Sequence, residues 1–581
     1  MKSAVSIRFI SRKKYRFYQI EYFMKKLFIT TIIATLLVNS NGFGQIKYTN
    51  PILEGFYPDP SICRVGRDYY LVNSSFAYFP GLPIFHSTDL LNWKQIGNAM
   101  DRNTQLVIGD VEVSRGLFAP SIRYHNGLFY IMCTNVSYKG NFIITAENPA
   151  GPWSDPNFTS AVSGIDPSLF FDDNGKVYIT YNSDPPDNKP LYNGHRTIRI
   201  IEYDIATQKT IGDNKIIVNG GTDLSKHPIW IEGPHLYKIN EWYYLMCAEG
   251  GTADQHSEVI FRSKNVEGPF VSYENNPILT QRNLDTTRKN PITSTGHADL
   301  VETPDGKWYA VFLGCRPYLG DYYNTGRETF MAPVKWKDGW PIIIPNHEEV
   351  QYQYPVPVAS TKKIDNNFSG NFIFKDDFKE KQLNYRYVFL RNPTEKLYKI
   401  ENGFVELPLK ENTAAERKNP AFIGFRQANL KGYGAVSMSF KATAENEKAG
   451  LMIFQNDRFY YFLCKSVKDG KPVVQLYKST TERNEKEELL ASAELKTDNP
   501  LQLKIQADND KYNFYYSEEK NKWTLIKDNV DGKFLSTKTA GGFVGCMYAM
   551  YGTSNGVATT NKALYDWFEY KGDDNIYKDL E

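Results

Sequence analysis

"DPSLFFDDNGKVYITY", residues 166–181, decides the fold. A short apolar strand, "DPSLFF", runs into the turn "DNG" and returns as the aromatic strand "KVYITY". Asn and Gly suit such a turn because some of its positions need φ > 0. The same unit recurs. Aromatic runs start at residues 68 ("DYYLV"), 128 ("LFYIMC"), 176 ("KVYITY"), 242 ("WYYLMC") and 307 ("KWYAVF"). Each follows a turn, in order "VGR", "HNG", "DNG", "INE" and "PDG". Each turn follows a short apolar strand, in order "PDPSIC", "APSIRY", "DPSLFF", "GPHLYK" and "HADLVE". All-β repeats of about 40–50 residues or somewhat more point to propeller blades. The expectation is a five-bladed β-propeller over residues 46–345. A β-sandwich there would not explain why each hairpin opens alike.

In a propeller the first strand of each blade lines the central channel. Five positions far apart in sequence then meet around one axis: Asp59, Ala119, Asp166, Glu232 and, approximately, His297. Four are polar or charged inside otherwise apolar strands. Unpaired buried charges are costly, so their convergence calls for a function. Carboxylates facing one channel suit acid–base work. Glycosidic hydrolysis needs one carboxylic acid to protonate the leaving oxygen and a second carboxylate to activate water or attack the sugar. Asp59 and Glu232 are candidates, with Asp166 to orient the acid and raise its pKa by like-charge repulsion. The residues alone do not say which does which.

Beyond residue 345 the texture changes. "NHEEVQYQYPVPVAS" opens a linker, 346–371, and from 372 to the end short alternating runs such as "LQLKIQA" and "YNFYYS" point to a β-sandwich. No acidic constellation stands there. Upstream, residues 24–45, "MKKLFITTIIATLLVNSNGFGQ", read as a secretory signal peptide. The apolar run is too short to span a bilayer. No Cys follows it, which argues against a lipoprotein anchor, so the expected location is periplasmic or secreted. Residues 1–23 do not fit a signal and are read as a misassigned start.

The 581-residue length suits two or three domains. With 68 basic and 66 acidic residues, net charge +2, nucleic acid and an anionic membrane are poor partners. Forty Tyr, 35 Phe and 9 Trp suit strands and flat apolar ligand faces. The six Cys lack CxxC and zinc spacing and read as buried thiols.

"NPILEGFYPDPSI" (50–62), "GIDPSLFFDDNGKVY" (164–178), "IEGPHLYK" (231–238), "GHADLVETPDGKWYAVF" (296–312) and "GRETFMAPVKW" (326–336) together resemble glycoside hydrolase family 43, in its β-xylosidase and α-L-arabinofuranosidase members. "DDFKEKQLNYRYVFLRNP" and "DWFEY" are similar to the concanavalin-like sandwich of those members. The resemblance implies an inverting mechanism with Asp59 as general base, Glu232 as general acid and Asp166 tuning the acid. It sets Arg327 against the sugar hydroxyls, where a planar fork of donors fits. Phe76, Phe118, Ala119 and Thr252 match pocket-lining positions, although Phe118 stands where relatives often carry Trp. His297 matches a histidine on the channel axis. Sugar contact, buried imidazole and metal or water ligand stay open for it. No cofactor is required, and Ca²⁺ in the channel stays open. The implied enzyme is exo-acting on hemicellulose-derived oligosaccharides, releasing xylose or arabinofuranose. A non-catalytic carbohydrate-binding propeller could dispense with the carboxylates. A scaffold for protein partners would leave them unexplained. Oligomeric state also stays open.

Overall fold

The computed structural model describes residue 24 and residues 46–580, apart from 106, 357–366, 483–485, 499 and 521. The signal peptide and the segment before it therefore lie outside the described residues, Met24 excepted. Among the described residues no helix is long and apolar enough to cross a membrane, and the protein is nearly all β.

Five antiparallel sheets follow one another from residue 61 to 342. Their first strands are Ser61–Val65, Leu117–His125, Ile165–Phe171, Glu232–Ile239 and Thr293–Glu302. The five aromatic runs are the second strands, including Asp68–Val72, Leu128–Asn135 and Val177–Ser183. The turns have the chemistry the repeat requires, with Gly66 at φ 63°, Gly175 at 83° and Asn240 at 56°. The first strand of each sheet packs on the first strand of the next, and the fifth returns to the first.

The aromatic strands are apolar throughout because both their faces are buried. Tyr178 faces Leu236 and Val259 of the fourth sheet, whereas Val177 and Ile179 face Tyr130 and Met132 of the second. The last interface joins Leu71 and Phe85 of the first sheet to Val311 and Met331 of the fifth. All six Cys are free and buried.

The C-terminal half stacks one sheet of eight strands on one of six. Here one face of each outer strand is wet, so alternation appears: Leu501–Asp508 buries every second residue. Leu503, Ile505, Phe514, Ile423, Leu451 and Phe568 lie in the core between the sheets. In the stretch read as a linker, Val350 and Phe368 are buried and pack into the first half. The two halves share an apolar cluster that joins Phe56, Phe76 and Tyr78 to Phe422, Phe454, Val544 and Met547. A short strand, Phe389–Leu390, pairs directly with Tyr78–Phe79.

Candidate active site

At the start of the inner strands the chain departs from regular pairing. Register breaks lie between Phe118 and Ser121, Ile165 and Ser168, Glu232 and His235, and Gly296 and Asp299. Asp59, Asp166 and His297 have φ of 51°, 54° and 54°, and Gly233, beside Glu232, has 56°. Bulges with left-handed residues re-aim side chains. At Asp59, Asp166 and His297 such conformations cost about 1–3 kcal/mol each and persist where the surroundings fix them, whereas Gly233 adopts its own freely. Gly233 also has no room for a side chain, since a Cβ would stand 3.0 Å from the His297 ring.

These bends bring nine residues singled out in the sequence to one pocket of about 570 Å³: Asp59, Phe76, Phe118, Ala119, Asp166, Glu232, Thr252, His297 and Arg327. Arg327 pairs through Nη1 with Asp59 Oδ1 at 2.9 Å, while its neighbour Glu328 is bound by Arg316 at 2.6 Å. Lys238 is bound to Asp172 at 3.0 Å rather than to Glu232. His235 Nδ1 lies 2.8 Å from Arg123 Nη2.

The carboxyl groups are buried but differ in their surroundings. Burial alone would raise Asp59. Arg327, His297 and the Ser74 hydroxyl, which donates to Oδ2 at 2.6 Å, outweigh it and hold Asp59 below the ordinary carboxylate range. His297 Nδ1 stands 4.0 Å from Asp59 Oδ1. Asp166 accepts one backbone bond, from Gly233 N at 3.2 Å. Burial and then the Asp59 charge push it up to about 6 against the pull of His297. Glu232 is raised well above the ordinary range by burial and then by Asp166 and Asp59. One carboxylate is thus held ionised and one held protonated in a single pocket, the pairing that acid–base hydrolysis uses.

Deeper on the axis, inner strands of four sheets meet at one ion pair. Arg123 Nη1 binds Asp299 Oδ2 at 2.8 Å. Ser61 Oγ and Tyr237 OH each donate to Asp299 at 2.6 Å, and His235 closes the cluster. Burial brings the His235 pKa down to about 3, so the ring is neutral. Two guanidiniums already supply the positive charge these aspartates need. Among the described residues no group of three or more His, Cys, Asp and Glu stands where it could hold a metal ion, and no step below uses one.

Seven further lining residues were not singled out in the sequence, among them the charged or aromatic Arg115, Arg196, Trp230 and Phe543. Phe543 comes from the C-terminal half. Its ring stacks on Phe76 with centroids 5.9 Å apart and meets Phe118 edge-on at 6.0 Å. Its N–H donates to Ser114 Oγ at 2.9 Å. The glycine pair before it in "GGFVGC" and the tryptophan two residues before Glu232 are the signals that could have found Phe543 and Trp230.

Residues 48–341 match the model of glycosyl hydrolases family 43, and residues 375–571 that of the beta xylosidase C-terminal concanavalin A-like domain. A xylosidase/arabinosidase of Butyrivibrio fibrisolvens is 40% identical over 532 residues, 89% of this chain and 98% of that protein. A non-reducing end alpha-L-arabinofuranosidase of Bacteroides ovatus is 36% identical over 93% of this chain and 98% of its own length. Among solved structures, a GH43_12 protein from a capybara gut metagenome superposes with a TM-score of 0.82 at 42% identity, covering 88% of this chain and 96% of that one. Both halves, and the order in which they come, are accounted for by this similarity: the chain belongs to glycosyl hydrolases family 43 and is a glycoside hydrolase.

Proposed function

We propose that the protein is an exo-acting, inverting glycosidase that releases xylose or arabinofuranose from hemicellulose-derived oligosaccharides. The observation that carries this reading is the opposed pair, Asp59 held ionised beside Arg327 and Glu232 held protonated beside Asp166. The names of the relatives, xylosidase/arabinosidase and alpha-L-arabinofuranosidase, support the sugar class. Asp59 takes a proton from a water molecule, whose oxygen bonds to the anomeric carbon. Glu232 gives its proton to the departing glycosidic oxygen as the old bond breaks, and the configuration inverts. Asp166 keeps the Glu232 proton in place by like-charge repulsion. Arg327 holds Asp59 and offers its other N–H groups to sugar hydroxyls, with Phe76, Phe118 and Phe543 as walls. A pocket backed by the buried Arg123–Asp299 pair suits the end of a chain better than its middle. A non-catalytic binding protein is not favoured, since it has no use for two carboxyls held apart in this way.

The five consecutive sheets whose inner strands close on themselves support a five-bladed propeller for residues 46–345, joined through 346–371 to the sandwich of 372–581. Export to the periplasm or beyond, directed by residues 24–45, belongs to the same proposal.

Hydrolysis of paired aryl β-xyloside and α-L-arabinofuranoside substrates tests the reading. One or both should be cleaved by the protein and not by Asp59→Asn. Absence of cleavage of either, with intact oligosaccharides also untouched, would sink it.

A further inference from the structure

Trp230 stands at the mouth of the same pocket, two residues before Glu232, with 41% of its surface exposed. Its backbone sits at φ 54°, an outlier for a bulky aromatic residue. The surroundings impose it. Trp230 N–H donates to Gly194 O at 2.8 Å, and the carbonyl of Ile229 accepts from Gly250 N at 2.9 Å. The carbonyl of Ile231 accepts from Asn182 Nδ2 at 2.5 Å. Asn182 Oδ1 in turn accepts from Arg196 Nε at 3.1 Å and Nη2 at 2.8 Å, and Arg196 Nη1 is paired with Asp184. The guanidinium so fixed lies 5.2 Å from the centroid of the Trp230 ring. Backbone bonds on three successive residues and one tethered cation thus hold an exposed indole beside the proposed acid. Strain of this kind, maintained at a pocket rim, is a mark of a functional position.

We propose that Trp230, clamped by Arg196, is the platform for the sugar on the leaving-group side of the cleaved bond. The inference rests on the reading of Glu232 as the acid. The proton from Glu232 goes to the oxygen that leaves, so the departing sugar lies on the acid's side of the pocket, toward the mouth. Asp59, Arg327 and Phe76 form one contiguous group, Arg327 paired with Asp59 and lying over the Phe76 ring, and this group holds the sugar that is released. A pyranose presents a flat C–H face, and an indole is the ring best suited to it. With Arg196 over the Trp230 ring, the exposed part of the indole is left for the sugar. Arg196 keeps N–H groups beyond those bound to Asn182 and Asp184 for hydroxyls at the sugar's edge. The occupant is therefore a pyranose unit of the oligosaccharide, bound by stacking and by guanidinium N–H bonds to its uncharged hydroxyls.

The test compares Trp230→Ala and Trp230→Phe with the unaltered protein on two substrates. One is a disaccharide of the released sugar linked to xylose. The other is the glycosyl fluoride of the same sugar, whose leaving group cannot reach the ring. Trp230→Ala should lower kcat/KM on the disaccharide by about tenfold or more and leave the fluoride within about twofold. Trp230→Phe should recover part of the loss. Equal losses on the two substrates would overturn the inference and make the ring a general support for the pocket. So would an equal loss on a methyl glycoside control, whose departing oxygen needs the Glu232 proton but carries no ring, since the indole would then be a support for Glu232. An unchanged disaccharide rate would overturn it as well. If the unaltered protein cleaved neither substrate, the glycosidase reading itself would fall, and this inference with it.

Discussion

Asp59 and Glu232 are both buried carboxyls on inner strands, and only their neighbours separate them. Arg327 and Ser74 bind Asp59 directly, while Glu232 faces the charges of Asp166 and Asp59. The two should therefore fail in different ways. Asp59→Asn should lower kcat about 10²–10⁴-fold on every substrate, because water needs its base whatever departs. Glu232→Ala should lose a similar factor on an oligosaccharide and far less on a dinitrophenyl glycoside, whose leaving group needs little protonation. Equal losses for Glu232→Ala on both would remove it as the acid. The pH profile follows from the same neighbours. Activity needs Asp59 ionised and Glu232 protonated, so the acid limb should lie below the ordinary carboxylate range and the alkaline limb well above it. Asp166, at about 6, is already charged on the alkaline limb. Asp166→Asn removes a negative neighbour that favours the proton on Glu232, so the alkaline limb should move to lower pH. A limb that stays put in kcat/KM profiles, or moves upward, would show that Asp166 does not tune the acid.

At the scale of elements, the repeat is legible because every hairpin places a short apolar strand, a turn and an aromatic strand in the same order. A strand buried on both faces reads as an unbroken apolar run, and a left-handed turn reads as Gly or Asn. The carboxylates were legible as charges that interrupt such runs. What stayed hidden was set by loops that meet only after folding. Arg196 reaches the pocket through Asn182, a contact across the third sheet, and nothing in its local sequence marks it. Phe543 lies more than 400 residues from the Ser114 that anchors it. Phe118 stands where a larger indole was the pattern, and Phe543 packs against it edge-on. The smaller ring thus meets a second wall supplied by the other half of the chain. Phe543→Ala should accordingly open the pocket and lower kcat/KM on oligosaccharides by about tenfold, with little change in unfolding midpoint, since the ring is 36% exposed. A variant with unaltered kcat/KM would mean that the wall is not used.

At the scale of the molecule, the two halves are joined by buried charge as well as by apolar surface. Arg316, the residue after the second strand of the fifth sheet (Trp308–Cys315), is fully buried. It binds Glu328 Oε2 at 2.6 Å within its own half, and in the other half Asp574 Oδ2 at 2.9 Å and the carbonyl of Ala428 at 2.6 Å. Glu54 stands 3.7 Å away. Removing one member of such a group leaves the others buried without a counter-charge, which costs about 3–5 kcal/mol. Arg316→Ala should therefore lower the unfolding midpoint, and the cost should depend on pH. Burial already raises Glu54 and Glu328 above ordinary carboxylates, with Arg316 pulling them down. Without the arginine they rise further. A carboxyl with a raised pKa in the folded state favours folding below its unfolded pKa, and that advantage is lost as pH rises through the folded value. The gap between Arg316→Ala and the unaltered protein should thus be small near pH 5 and larger near pH 8. Urea unfolding at both pH values, followed by tryptophan fluorescence and by residual activity, measures it. Because Phe389–Leu390 pairs with Tyr78–Phe79 and Phe543 walls the pocket, activity and fluorescence should fall together in the unaltered protein. In Arg316→Ala, activity should fall first, as the halves part before either unfolds. A pH-independent gap would locate the cost in packing rather than charge. Activity that outlasted the fluorescence change would show that the first half works without the second.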